Sequence, residues 1–291
     1  MSATFREVEA GGLLWRVFGS DSDSDSGSSS GADGTGAVPL IILHGLFGAG
    51  DNWRSHAEAL SGERPVLVPD MPNHGRSLHT ADMDFASVAR LVWSALADLA
   101  LSDRAPTLEM EPRRYALLGH SMGGKVAMAM AFQEPERVER LISADIAPRE
   151  YPASHQEIFE AMSAVATTHI ERRSEADRIM AESIPAKAIR MFLLKSLVRD
   201  ETTGTYQWQL NVEGLRRSYD DIRAWPFHDE HYEGPTLFIA GGESPYIRPG
   251  DRAAIDRHFP EYQLETIPGV GHWLHVENLE AFLSLVSTFL S

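Results

Sequence analysis

The chain has 291 residues, of which 43% are hydrophobic and 23% are charged, a composition typical of a soluble globular protein. Its 26 Lys and Arg residues against 42 Asp and Glu residues give a formal net charge of −16. Nucleic acid and anionic membrane surfaces are therefore not expected partners. The absence of cysteine excludes disulfides, thiolate metal sites and a cysteine nucleophile.

No apolar run reaches the roughly 18 residues that a membrane-spanning helix needs. The first residues also lack the basic flank and continuous apolar stretch of a secretory signal. We therefore expect a cytoplasmic protein that does not bind membranes. The sequence does not distinguish a monomer from a homodimer.

The predicted elements begin with a strand over residues 12–18. Residues 20–36 then alternate Asp and Ser and continue with Ser and Gly, which predicts a flexible loop inserted between two strands. After this loop, apolar runs alternate with helical patterns, so a mostly parallel α/β sheet is predicted. Further strands are predicted at 38–43, 65–68, 115–118, 141–144, 236–240 and 263–267. Helices are predicted at 85–99, 125–132 and 279–290.

The pattern changes to helices between residues 149 and 234, with no convincing central strand. These helices are predicted at 156–166, 175–182, 186–197 and 212–222. A helical block inserted between two strands of one sheet is most simply a lid over the strand ends. We therefore predict a helical cap at 149–234 and a core made of 1–148 and 235–291.

The strongest catalytic motif is G-x-S-x-G at residues 119–123, between a predicted strand and a predicted helix. In this context the turn is so tight that glycines must flank the serine, which projects its hydroxyl from the edge of the sheet. Ser121 is therefore the candidate nucleophile. The backbone N–H of Met122, at the start of the helix, is a candidate donor to an oxyanion.

Two other loops at strand ends complete the candidate site. The loop after strand 38–43 reads HGLFG, and the backbone N–H of either Leu46 or Phe47 is the candidate second oxyanion donor. Asp70 and His74, after the next strand, are expected to support this loop. His272 follows the last strand, and a nucleophile that precedes the histidine in the chain is the order of an α/β-hydrolase triad.

Together these motifs resemble the α/β-hydrolase superfamily, and more closely the YbfF-type esterases and their mitochondrial relatives. The narrower resemblance rests on residues 44–48 (HGLFG), 51–53 (DNW), 70–77 (DMPNHGRS), 119–125 (GHSMGGK), 145–148 (DIAP) and 241–246 (GGESPY). It implies an α/β-hydrolase fold, with an eight-stranded, mostly parallel sheet, helices on both faces and a helical cap. It also implies hydrolysis of short acyl esters or thioesters.

The acid of the triad is where this sequence departs from the superfamily. Most members carry an aspartate where this chain has Ser244, and a serine cannot supply the charge. The nearby carboxylates are Glu243 and Asp251, and a more distant one is Asp145, after strand 141–144. The YbfF-type resemblance favours Asp145, with Ser244 as an auxiliary hydrogen-bonding residue.

The predicted protein is a serine carboxylesterase that acts on a small acyl ester through an acyl-enzyme, with neither metal nor organic cofactor. A thioesterase or a carbon–carbon bond hydrolase could use the same triad. A small-molecule receptor on this fold, without catalysis, is the alternative from another functional class.

Overall fold

The computed structural model describes residues 5–19, 38–101 and 114–291. The predicted loop at 20–36 lies outside the described residues. The strands are β1 (Phe5–Ala10), β2 (Leu13–Phe18), β3 (Leu40–Leu43), β4 (Val66–Pro69), β5 (Tyr115–His120), β6 (Val138–Ala144), β7 (Leu197–Arg199), β8 (Tyr206–Trp208), β9 (Thr236–Gly241) and β10 (Tyr262–Ile267). The α-helices are α1 (Arg54–Leu60), α2 (Phe85–Ala100), α3 (Met122–Gln133), α4 (Gln156–Ala166), α5 (Arg173–Ala181), α6 (Lys187–Leu193), α7 (Val212–Arg217), α8 (Tyr219–Arg223), α9 (Arg252–His258), α10 (Leu274–Glu277) and α11 (Leu279–Leu290).

Within the described residues, eight strands form one sheet in the order β1-β2-β4-β3-β5-β6-β9-β10. The six strands from β4 to β10 in this order are parallel, whereas β2 is antiparallel to both β1 and β4. In the sheet, β4 lies on one side of β3 and β5 lies on the other side. Such a reversal of strand order opens a crevice at the carboxyl ends of the strands, where ligands bind in open α/β sheets.

The strand register brings the candidate residues to one edge of the sheet. Leu43 at the end of β3 pairs with Gly119 of β5, and His120 pairs with Ala144 at the end of β6. Ala144 in turn pairs with Ile239 of β9. The loops that carry the predicted nucleophile, acid and base therefore start at the same edge.

Two apolar layers cover the two faces of the sheet, because successive residues of a strand point to opposite sides. Ile41 of β3 lies in one cluster with Val126 of α3. Its neighbour Ile42 lies in the other cluster with Phe282 of α11. This arrangement confirms the predicted α/β sheet with helices on both faces.

Strand β1 was not predicted from the sequence. It pairs with β2 at the outer edge of the sheet, and Val8 is its only fully buried residue. An edge strand with a mostly exposed surface lacks the continuous apolar run that marks the central strands.

The segment 149–234 contains a β-hairpin that the sequence analysis did not anticipate. Strands β7 and β8 pair with each other. β7 begins at the last residue of the predicted helix 186–197, and β8 ends before the predicted helix 212–222. Asp200 closes the turn by accepting hydrogen bonds from the N–H groups of Thr202 and Thr203, at 2.8 and 2.9 Å. The predicted helix 186–197 is therefore too long, and the predicted helix 212–222 is two helices, α7 and α8, separated at Ser218.

Helices α4 and α6 contact the loops at the carboxyl ends of the sheet strands. The ring of Phe159 on α4 lies 5.1 Å from that of Phe47, between centroids, and Phe192 on α6 lies 5.4 Å from Trp273. Phe47 belongs to the loop after β3, and Trp273 follows His272. In the described part of the chain, no helix is long and apolar enough to cross a membrane.

Lys125 on α3 joins the sheet layer to the end of α8. Its side chain is only 1% exposed, and Nζ donates to the carbonyl oxygens of Arg223 and Ala224 at 3.0 and 2.7 Å. Nζ also lies over the ring of Tyr151, 4.8 Å from its centroid. Burial lowers the pKa of Lys125 to about 7, so the amine is only partly protonated at neutral pH.

Replacing Lys125 with Met should remove part of the pH dependence of stability. Between the folded-state pKa of about 7 and the ordinary value of 10.5, the unfolded chain binds the extra proton, so the contribution of Lys125 to stability rises with pH. We expect the free energy of unfolding of the wild type, minus that of Lys125→Met, to increase by about 2 kcal/mol from about pH 7 to about pH 9. Urea unfolding followed by circular dichroism measures this difference.

Lys195 is exposed, so Lys195→Met is the matched control and should give a difference that does not change over this pH range. A difference that is equally flat for Lys125→Met would mean that Nζ stays fully charged in the folded chain.

Candidate active site

The turn between β5 and α3 holds Ser121 in a strained backbone conformation, with φ +54°. A Cβ at Gly119 would lie 2.2 Å from the carbonyl oxygen of Gly123. A Cβ at Gly123 would lie equally close, 2.2 Å, to the carbonyl oxygen of Leu43. Only glycine fits at these two positions, and the turn therefore presents the Ser121 side chain at the edge of the sheet.

The structure brings Ser121, His272 and Asp145 together. Nε2 of His272 lies 3.0 Å from Oγ of Ser121, and Nδ1 lies 2.7 Å from Oδ2 of Asp145. Because a carboxylate only accepts, Nδ1 carries the proton and donates it to Asp145. Nε2 is then free to accept the hydrogen bond of the Ser121 hydroxyl.

Asp145 is completely buried and is held by three donors. Oδ1 accepts from the N–H of Gly241 at 3.0 Å, and Oδ2 accepts from the hydroxyl of Ser244 as well as from His272. The residue has φ +52°, which turns the chain sharply after β6 and directs the carboxylate to the neighbouring loop. These donors satisfy both oxygens of a carboxyl group that is removed from water.

The two alternative carboxylates lie elsewhere. Glu243 is exposed, and its backbone N–H donates to the carbonyl oxygen of Val270 at 2.9 Å. Oδ1 of Asp251 lies 2.8 Å from Nε of Arg149, and its Oδ2 accepts from the N–H of Arg248. Among the contacts of the described residues, neither carboxylate reaches His272, whereas Asp145 does.

The structure distinguishes the two candidate donors in the loop after β3. The N–H of Phe47 donates to Nε2 of His74 at 3.1 Å, so it is already used. The expectation that Phe47 supplies an oxyanion donor is therefore corrected. In the part of the chain that the structure describes, the N–H groups of Leu46 and Met122 donate to no protein acceptor.

Buried polar side chains hold the loop after β3 in place. His44 accepts from the N–H of Met71 through Nε2 at 2.9 Å. Oδ1 of Asp70 accepts from Nη1 of Arg16 and from the N–H of Gly50, both at 2.8 Å. Asp70, like His74, thus holds the loop without touching the Ser121 hydroxyl.

Tyr246 is a residue of the site that the sequence analysis did not single out. Its ring stacks on the imidazole of His272, with centroids 3.7 Å apart and planes 13° apart. The tyrosine is itself held, because its carbonyl oxygen accepts from the hydroxyl of Tyr151 at 2.6 Å and its N–H donates to Oγ of Ser244 at 3.2 Å. Its only sequence signal was its place in the GGESPY motif.

Two further histidines pack beneath the site and remain neutral. Nε2 of His120 donates to the carbonyl oxygen of His272 at 2.9 Å, and burial lowers the pKa of His120 to about 3. Burial also lowers the pKa of His275, whose ring stacks on Trp53 with centroids 4.5 Å apart. Across the described ranges, no group of three or more His, Cys, Asp or Glu side chains is arranged to hold a metal ion.

Comparison with known proteins places these residues in a family context. A family model described as "alpha/beta hydrolase fold" matches residues 38–279. The sn-1-specific diacylglycerol lipase ABHD11 of Mus musculus is 39% identical over 269 residues, which cover 89% of this chain and 83% of that protein. Esterase YbfF of Escherichia coli strain K12 is 34% identical over 254 residues, covering 87% of this chain and 93% of that protein.

A solved structure gives the same result in three dimensions. A structure titled "Marine microorganism esterase" is 34% identical, with a TM-score of 0.79, and the match covers 95% of this chain and 98% of that chain. These similarities confirm the resemblance and the fold that the motifs predicted.

Removing the ring of Tyr246 should slow the reaction of Ser121 with a fluorophosphonate probe. A stacked aromatic pair contributes about 0.5–1.5 kcal/mol, and losing it frees the imidazole that must face Ser121 and Asp145 together. We expect Tyr246→Leu to lower the second-order labelling rate by roughly 3- to 10-fold, measured by intact-mass spectrometry.

Tyr246→Phe is the matched control, because it keeps the ring and loses only the hydroxyl. It should label within about twofold of the wild type. Equal slowing of both variants would assign the effect to the hydroxyl and contradict a role for stacking.

Proposed function

The chain belongs to the α/β-hydrolase family, and on this basis we propose that it is a serine carboxylesterase that cleaves short-chain acyl esters through an acyl-enzyme intermediate. The single observation that carries the proposal is the linked pair of contacts from Ser121 to His272 and from His272 to Asp145, at 3.0 and 2.7 Å. Nucleophile, base and acid come from three loops at one edge of the sheet. The names of the relatives, esterase and lipase, agree with this chemistry.

In the proposed first step, Oγ of Ser121 attacks the carbonyl carbon of the ester and forms a new carbon–oxygen bond. Nε2 of His272 takes the hydroxyl proton at the same time, since its lone pair already accepts that hydrogen bond. The buried Asp145 carboxylate stabilises the resulting imidazolium through Nδ1. The negative charge passes to the former carbonyl oxygen of the ester.

We assign the binding of that oxyanion to the N–H groups of Leu46 and Met122, which have no protein acceptor among the described residues. The tetrahedral intermediate then expels the alcohol, which receives its proton from His272, and the acyl group stays on Ser121. Water repeats the sequence with His272 as base and releases the carboxylic acid. Apart from the ester and this water, the steps use only side chains and N–H groups of the protein.

The preference for short acyl groups is supported by the aromatic contacts above the site. Phe47 and Phe159 pack at 5.1 Å between centroids, and Phe192 packs against Trp273 at 5.4 Å. Both pairs join helices α4 and α6 to loops of the site, as a cap over residues 149–234 would require. We propose that these rings bound the space for the acyl group, so that a long acyl chain would have to separate them and a short one would not.

The proposal is tested with p-nitrophenyl esters of increasing acyl length, assayed beside a diacylglycerol and an acyl thioester. We expect kcat/KM to be highest for acetyl or butyryl esters. Ser121→Ala and His272→Ala should each lower kcat by about 10⁴-fold or more, and the double variant should lose little further activity, because the residues act as one unit.

Each possible result of this panel has a definite meaning. Faster turnover of the thioester or of the diacylglycerol would replace the proposed substrate class and keep the mechanism. Losses that multiply in the double variant would overturn the assignment of Ser121 and His272. If Ser121 does not react with any substrate or with a fluorophosphonate, the chain is a binding protein on this fold.

The proposed acid is tested by Asp145→Asn, which should lower kcat by roughly 10²- to 10⁴-fold, since the imidazolium loses its counter-charge. Ser244→Ala removes one of the three hydrogen bonds to the same carboxylate but keeps the carboxylate itself, and should cost about tenfold. Steady-state kinetics on the best ester of the panel measure both effects.

Glu243→Gln and Asp251→Asn are the matched controls, because each neutralises a carboxylate that does not contact His272 in the described structure. Both should keep turnover within a few fold of the wild type. Near-normal turnover of Asp145→Asn together with a severe loss in Glu243→Gln would move the acid to the loop after β9.

A further inference from the structure

His155 lies beside the site on the side of helices α4 to α8, where the steps described so far do not use it. It immediately precedes α4, and its ring meets that of Phe47 edge-on, with centroids 5.8 Å apart. Phe47 follows Leu46, whose N–H is the proposed oxyanion donor. The imidazole of His272 is close enough that its charge disfavours a proton on His155 and lowers the His155 pKa, although burial is the larger cause.

The hydrogen bonds around Tyr219 determine which nitrogen of His155 carries the proton. The Tyr219 oxygen accepts from the N–H of Ser154 at 3.0 Å and lies 2.6 Å from Nδ1 of His155. Oγ of Ser154 lies 3.4 Å from the same Nδ1, and its hydroxyl can donate to that nitrogen. Tyr219 is buried, and within the described residues its own proton has no acceptor other than this Nδ1. We therefore assign the tautomer with Nδ1 as acceptor and the proton on Nε2.

The Nε2–H group of His155 is thus a fixed donor without a partner in the described part of the chain. Burial lowers the pKa of His155 to about 4, so the ring is neutral and keeps a single N–H at neutral pH. Because the ring is only half-buried, this N–H remains available to a ligand.

Other histidines of the chain show what a purely structural role looks like. His44 and His74 use both ring nitrogens in hydrogen bonds with the protein. His56 and His275 each leave Nδ1 without a partner, but those atoms are completely buried in the aromatic cluster around Trp53. His155 differs from both groups, since its free nitrogen belongs to a half-buried ring beside the site.

We propose that Nε2–H of His155 donates a hydrogen bond to an oxygen atom of the substrate close to the scissile ester, so that His155 selects esters with a second oxygen function. The inference rests on the proposed esterase function and deepens it. The ligand chemistry is a neutral hydroxyl or ether oxygen, carried by either the alcohol part or the acyl part of the ester. Tyr219 is the positioning residue, because it fixes the tautomer.

The test compares three esters of similar size with the full-length protein. Propyl butyrate is the reference, 2-hydroxyethyl butyrate adds an oxygen to the alcohol part, and propyl 3-hydroxybutyrate adds one to the acyl part. We expect the wild type to prefer one oxygenated ester over the reference by about 3- to 10-fold in kcat/KM, the value of one neutral hydrogen bond. The preferred ester identifies the side of the substrate that His155 contacts.

The variants separate the donor from the shape of the ring. His155→Phe keeps an aromatic ring without a donor. For this variant, the kcat/KM of the preferred oxygenated ester divided by that of propyl butyrate should fall close to one. His155→Gln supplies an amide N–H and should keep part of the preference. Because each ratio compares two esters on one variant, a general loss of activity cancels.

Tyr219→Phe provides a second test that does not alter His155 itself. Without the phenol, the two tautomers of His155 both become populated, so the preference should fall, and ¹⁵N NMR of the ring should show the protonated nitrogen changing from Nε2 to a mixture. His169 is an exposed histidine between α4 and α5, so His169→Phe is the control and should keep the wild-type ratio.

The inference and the proposed function fail in different ways. If the wild type hydrolyses propyl butyrate, but neither oxygenated ester is preferred and His155→Phe leaves all ratios unchanged, His155 does not select the substrate and the esterase proposal stands. A wild type that carries the proton on Nδ1 by NMR would also overturn the inference. If no ester of any kind is hydrolysed, the proposed function itself is wrong.

Discussion

The backbone of the turn after β5 approaches the end of β3 so closely that the rest of the site depends on this contact. A Cβ at Gly123 would lie 2.2 Å from the carbonyl oxygen of Leu43, so the two segments meet only because glycine has no side chain. The contact brings the N-terminus of α3 against the loop that follows β3. As a result, Met122 and Leu46, whose N–H groups have no acceptor among the residues the structure describes, belong to adjoining segments. Ser121 is held at φ +54° at the start of one of them.

Electrostatics around His272 follow from burial. His120 and His275 are buried and His155 is half-buried, and burial lowers the pKa of all three, to about 3 for His120 and about 4 for His155. These three neighbours are therefore neutral at pH 7 and place no positive charge beside His272. Asp145, by contrast, directly contacts Nδ1 of His272.

The sequence predicted what short-range constraints determine and missed what distant contacts determine. The position of Ser121 on a tight turn was predictable because a strand, a glycine-flanked serine and a helix are consecutive in the chain. The distinction between Leu46 and Phe47 was not, since it depends on a hydrogen bond from Phe47 to His74 on another loop. Likewise the stacking of Tyr246 on His272 joins residues far apart in the chain. The hairpin of β7 and β8 is local, but each strand has only three residues, too few to show an alternating pattern. Asp145 was favoured only through the family resemblance.

The position of the acid has a simple geometric explanation in the sheet. Strands β6 and β9 are neighbours, and Ala144 pairs with Ile239, so the loops that follow them start side by side. A carboxylate after either strand can therefore lie near the same imidazole nitrogen. In this chain the proposed acid, Asp145, follows β6, and Ser244, after β9, donates its hydroxyl to the Asp145 carboxylate. Under the proposed mechanism the loop after β9 therefore supports the acid without supplying it, while His272 follows β10.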